Sequence, residues 1–91
     1  MYLNTPQADI QENLNILRDA AQLQTQLRLF DVLVETRYTL LKLRPALRQH
    51  WVALAVAYHL NRNLAEASRT LDHYQRTLKV FFSLPFPLRY T

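Results

Sequence analysis

The stretch HWVALAVAYHL, His50 to Leu60, places two histidines and the only tryptophan around a run of alanines and valines. It could be a metal site, a membrane insert or a packing surface. A helix needs about 20 apolar residues to span a bilayer, and this run meets a histidine at each end before that. His50 and His59 lie about 900° apart around a helix, on opposite sides, so they cannot share a metal. His73 falls on another helix with no carboxylate–histidine partner. Packing remains. Trp51, Leu54 and Tyr58 recur at steps of three and four and so share one face. Ala55 beside them is small enough to let a second helix approach. The stretch reads as a helix that packs on two sides.

The rest of the chain agrees with a helical reading. Its 91 residues, 49% hydrophobic, suit one small domain or a piece of a larger one. It contains no glycine. All-β folds and phosphate loops use glycine for tight turns and close backbone approach, so both are disfavoured. With no cysteine there is no disulfide, thiolate nucleophile or zinc–thiolate centre. The opening MYLNTPQADIQENL lacks the basic and apolar regions of a secretory signal. Charge is uneven: residues 1–43 carry a net −1 and residues 44–91 a net +5. Glu12, Glu35, Glu66 and the aspartates form no acid–base pair. No catalytic, cofactor-binding or metal-binding residues are expected.

Four amphipathic helices are predicted. Residues 1–9 form a loose lead-in containing Pro6, and Asp9 with Glu12 is spaced to start a helix over about 10–26. A second run places Phe30, Leu33, Val34, Tyr38 and Leu41 on one stripe and must stop by Arg44, because Pro45 disfavours helical geometry before it. The third helix covers about 47–60. Asn63 caps the fourth, over about 63–79, with Glu66 as its capping-box partner. Leu64, Ala67, Leu71, Tyr74 and Leu78 mark its apolar stripe. Residues 10–79 are thus a set of helical hairpins, and 80–91 an apolar tail containing Pro85 and Pro87.

The tetratricopeptide repeat, a helical hairpin of 34 residues, has a W-x2-L-G-x2-Y…A…F…P pattern. Trp51, Leu54, Ala55 and Tyr58 fill its first helix, with Ala67 and Leu71 in its second. Thirty-four residues earlier, Leu17 takes the tryptophan position, Ala20 and Ala21 follow, and Pro45 stands at the closing proline. Leu33 and Arg37 suit that earlier unit poorly, so it is a degenerate repeat. The fold class is all-α: two tetratricopeptide-like hairpins, four antiparallel helices, part of a solenoid. A small free-standing four-helix bundle is the alternative.

Three segments carry a more specific likeness: NLNILRDAAQLQTQL, ETRYTLLKLRPALRQHWVALAVAYHL and AEASRTLDHYQRT. In order and spacing, from about Gln11 to Thr77, they resemble the auxiliary, scaffold subunit of the N-terminal acetyltransferase A (NatA) complex. The resemblance implies a piece of a large right-handed superhelix and a non-catalytic scaffold that wraps a catalytic acetyltransferase subunit. It also implies docking near the ribosomal exit tunnel and a cytoplasmic setting. Acetyl-coenzyme A would belong to the partner subunit and not to this chain. Family members are many times longer, and the likeness stops after Lys79. The tail VFFSLPFPLRYT is either foreign to the family or a flap that folds over the last hairpin, since an unstacked solenoid end is apolar. Two repeats alone should be marginally stable or self-associate through their open ends.

The basic second half supports another reading, in which Arg62, Arg69 and Arg76 contact a protein partner, the ribosome or RNA. Around VETRYTLLKLRP, Tyr38 is expected in the core with Arg37, Lys42 and Arg44 solvated. The other possibility there is that the three basic residues face an acidic partner.

Overall fold

The amphipathic runs become four helices: α1 (Pro6–Gln26), α2 (Phe30–Leu43), α3 (Arg48–Leu60) and α4 (Leu64–Phe82). They are seen in a computed structural model that describes residues 6–83; among the described residues there is no strand. α1 begins ahead of the expected start near residue 10. Proline suits the first helical position, because its fixed φ is already helical and the N–H it lacks would have no partner there. α4 runs beyond Lys79, so the first residues of the expected tail are helical. The backbone restriction from Pro85 reaches only the residue before it, which leaves Val80–Phe82 free to continue the helix. Ser83 then closes it, its N–H donating to the carbonyls of Lys79 (3.1 Å) and Val80 (3.2 Å). Leu84–Thr91, and with them the expectation of a capping flap, lie outside the described residues.

α2 stops where Pro45 requires: the Arg44 N–H closes on the Leu40 carbonyl at 3.0 Å. At the start of α4, Asn63 acts through its main chain, its carbonyl accepting from the Ala67 N–H at 3.0 Å. Glu66, the expected capping-box partner, pairs instead with Arg69.

Both hairpin turns have one design. Leu27, Arg28 and Leu29 donate to the carbonyls of Leu23, Thr25 and Gln24, and Leu33 donates to that of Leu29. Thirty-four residues on, Asn61, Arg62 and Asn63 donate to Ala57, His59 and Tyr58, and Ala67 donates to Asn63. Arg28 (φ 62°) and Arg62 (φ 65°) both take the left-handed conformation, which a glycine would adopt more easily. Thr36 and Thr70 repeat the pattern, each hydroxyl bonding the carbonyl four residues back. The 34-residue period is thus written in the backbone, including the unit whose side chains match the motif poorly.

α1 packs on α2, α2 on α3 and α3 on α4, and these are the extensive helix contacts. A closed bundle would also pack α4 broadly against α1. The radius of gyration is 15.5 Å, against about 12 Å for a compact chain of this length. The helices therefore form an open row of hairpins. Ala21 (α1), Leu33 (α2) and Ala57 (α3) meet at its centre, flanked by Phe30 and Val34. The alanines let the helices approach closely, and Leu14 and Leu40 are fully buried. Among the described residues α4 packs on one side only, so Leu64 and Leu71 of its expected apolar stripe are exposed, while Ala67, Tyr74 and Leu78 are half-buried.

Candidate functional site

Two grooves run along the row, each between alternate helices and floored by the helix between them. The first lies between α1 and α3. Arg18, Gln22, Thr25 and Gln26 line it from α1, Arg37 from α2, and Gln49, His50 and Ala53 from α3. Its volume is about 690 Å³. Arg37 is half-buried here, and burial, with Arg18 nearby as a second cause, lowers its pKa below the usual arginine value. An arginine keeps its charge at neutral pH all the same. The chain's seven acidic side chains all lie among the described residues. The ion pairs formed there are Glu66 with Arg69 and Asp72 with Arg76, so neither Arg18 nor Arg37 is neutralised by a carboxylate side chain.

His50 is buried at the groove wall, its Nδ1 3.1 Å from the Arg44 carbonyl. A carbonyl oxygen can only accept, so Nδ1 carries the hydrogen. The residue holds the α2–α3 turn in place, a role its spacing did not indicate. Trp51 supports the same turn, with Nε1 donating to the Pro45 carbonyl at 2.8 Å.

The second groove, about 400 Å³, lies between α2 and α4 over α3. Its walls are aromatic: Tyr38, Trp51, Tyr58 and His73. His73 meets the Trp51 ring edge-on at 5.2 Å between centroids, and Tyr74 lies 5.7 Å from it. Tyr38 is exposed, contrary to the expectation of a core tyrosine, and the Lys42 ammonium sits 4.9 Å over its ring. The reason is its place in the row. Leu33, Thr36, Leu40 and Leu41 fill the buried face of α2, which turns Tyr38 outward and Arg37 partly inward. The expectation that all three basic residues of this segment stay solvated holds at Lys42 and fails at Arg37 and Arg44, both half-buried.

Of the three arginines proposed for partner binding, Arg69 and Arg76 are paired with Glu66 and Asp72 on the exposed face of α4. Arg62 occupies the α3–α4 turn and lines a separate depression with His59, Leu60 and Leu64. The structure does not gather the three into one cleft. It gathers Arg18 and Arg37, which sequence spacing did not connect. The available signal was Arg37 itself, a charge at the repeat position that Leu71 occupies in the second unit. Among the described residues no three of His, Cys, Asp or Glu come together as metal ligands. No described helix is long and apolar enough to cross a membrane.

Comparison with known proteins finds relatives among auxiliary subunits of N-terminal acetyltransferase complexes. The chain is 42% identical over 79 residues to N-alpha-acetyltransferase 16, NatA auxiliary subunit, of Mus musculus, covering 87% of this chain and 9% of the relative. The Homo sapiens protein of the same name matches with the same identity and coverage. The N-terminal acetyltransferase A complex auxiliary subunit NAA15 of Arabidopsis thaliana is 46% identical over 68 residues, 75% of this chain and 8% of that protein. The chain thus spans less than a tenth of the length of the curated relatives it matches. No family model matches it, and no solved structure does.

Proposed function

By sequence this chain is a relative of the NatA auxiliary subunits, and from that kinship we propose that it is a non-catalytic protein-interaction segment serving N-terminal protein acetylation. Its partner is an acetyltransferase catalytic subunit, which would hold the acetyl donor and perform the chemistry in the cytoplasm. The observation that carries this reading is identity of 42–46% across most of the chain to proteins named as auxiliary subunits. The open row of hairpins supports it, since a solenoid offers long surfaces to a partner while each repeat contacts only its neighbours.

Co-expression of the tagged chain with a NatA catalytic subunit tests the proposal. Co-purification that survives moderate salt is the expected result. A folded chain that captures no catalytic subunit would count against it. The second reading, ribosome or RNA contact through Arg62, Arg69 and Arg76, rests on the basic second half of the chain. Pairing of two of these arginines with carboxylates reduces the charge they can offer. Ribosome co-sedimentation that falls with salt, and falls further in R62Q/R69Q/R76Q, would favour it.

A further inference from the structure

We propose that the groove between α1 and α3 binds an acidic peptide segment, its carboxylates engaging Arg18 and Arg37. This deepens the protein-interaction reading by naming a site and a ligand chemistry, and it rests on that reading. Charge complementarity carries it. Arg18 and Arg37 line one groove, and none of the chain's own carboxylate side chains pairs with either. Holding a guanidinium partly out of water beside a second one is unfavourable, and an incoming carboxylate offsets the desolvation with a hydrogen-bonded ion pair and cancels the repulsion. Planar guanidinium groups also suit carboxylates, because two parallel N–H donors match two oxygens.

The rest of the lining favours a peptide over a nucleic acid. Gln22, Gln26 and Gln49 present amide groups able both to donate to and to accept from a peptide backbone. Among the described residues His50 is the one aromatic ring lining the groove, and at 4% exposure it leaves a base almost no face to stack on. The tyrosine and tryptophan rings lie instead in the groove between α2 and α4, where Arg69 is paired with Glu66. From Arg18 to Gln26 the α1 side of the groove extends about 12 Å, room for roughly four residues of extended chain. The site therefore takes a short acidic run within a partner.

The test is fluorescence anisotropy with the full 91-residue chain and a fluorescein-labelled peptide containing four consecutive glutamates. A glutamine-substituted peptide of the same length and an oligouridine RNA serve as comparisons. The glutamate peptide should bind and the glutamine peptide should not. R18Q and R37Q should each weaken binding about tenfold or more, as for loss of a charge-assisted hydrogen bond. R69Q/R76Q should leave it unchanged. Arg18 is exposed, so R18Q keeps the test decisive if R37Q disturbs folding by circular dichroism. Absence of glutamate-peptide binding, equal binding by R18Q, or tighter RNA binding lost in R18Q would each overturn the proposal. No acetyltransferase subunit is present in this titration, so failure of the groove and failure of catalytic-subunit capture are separate results.

Discussion

The two hairpins share a backbone and differ in what fills it. Their turns close through the same four hydrogen bonds, and Arg28 and Arg62 hold the same left-handed conformation 34 residues apart. Their side chains diverge at the positions that meet neighbours. Ile16 on α1 is 59% exposed, while its counterpart on α3, His50, is 4% exposed. Leu23 and Ala57 repeat the contrast, at 55% and 0%. Residues on α3 at these positions are covered because the first hairpin, α1 and α2, precedes it; nothing among the described residues covers them on α1. In a solenoid, burial at a given repeat position is thus set by place in the row as much as by residue type. On α2 and α4 the contrast is chemical: Arg37 turns toward a groove where Leu71 stands exposed. The better match to the motif is the hairpin with the paired charges, and the degenerate one carries Arg18 and Arg37, which share a groove without a carboxylate partner.

The largest test of this contrast sets an inner position against an outer one. Leu40→Ala, at a fully buried site on α2, should cost about 2–5 kcal/mol, enough to unfold much of a small chain. Leu64→Ala, at an exposed site on α4, should cost less than about 0.5 kcal/mol. Thermal melts followed by circular dichroism separate these, and equal losses would mean that α4 is covered in solution. Next in size is Trp51→Phe, which keeps an aromatic ring but removes the donor to the Pro45 carbonyl. Urea titration should show a loss of about 1 kcal/mol. If the midpoint does not move, that hydrogen bond does not hold the α2–α3 turn.

Arg28→Gly and Arg62→Gly probe the shared backbone directly. Each relieves left-handed strain of about 1 kcal/mol, partly offset by the chain entropy of glycine, for a net gain near 0.5 kcal/mol. The backbone gains should be equal, but at Arg28 the loss of the guanidinium contact to the Phe30 ring, 5.6 Å away, should cancel most of it. A loss of stability at Arg62 would break the equivalence of the repeats. Smallest is Asp72→Asn, which removes the ion pair to Arg76 on an exposed helix face. It should change stability by less than about 0.5 kcal/mol, and only at low salt. A larger loss would show that α4 depends on its surface charges.

Much of this organisation was legible in the sequence, for physical reasons that differ by residue. Pro45 forces a break wherever it stands, so the end of α2 could be placed. Trp51, Leu54, Ala55 and Tyr58 share a face whatever packs on it, which placed α3 in the first helix of a hairpin. Tyr38 and Arg37 were misplaced because adjacent residues lie about 100° apart on a helix. Which of the two turns inward depends on where α1 and α3 lie, and periodicity along α2 does not contain that. Leu71 failed for a related reason: its stripe is apolar, but no helix among the described residues covers it. Pairing of Arg18 with Arg37 needed the row itself, since the two residues sit on different helices at a spacing unrelated to any repeat.

The central claim is that the four helices form an open row and not a closed bundle. The chain has no cysteine, so Ile16→Cys and Leu71→Cys can carry two spin labels without background. Both positions are exposed on the outer helices, and in a closed bundle α1 and α4 would meet there. Double electron–electron resonance on the doubly labelled chain, diluted with unlabelled chain to remove contacts between copies, measures their separation. Three neighbour spacings of 8–10 Å give an expected distance of roughly 25 Å or more. A single population near 10–15 Å would mean that α4 closes on α1 as adjacent helices do, and the solenoid account would be wrong.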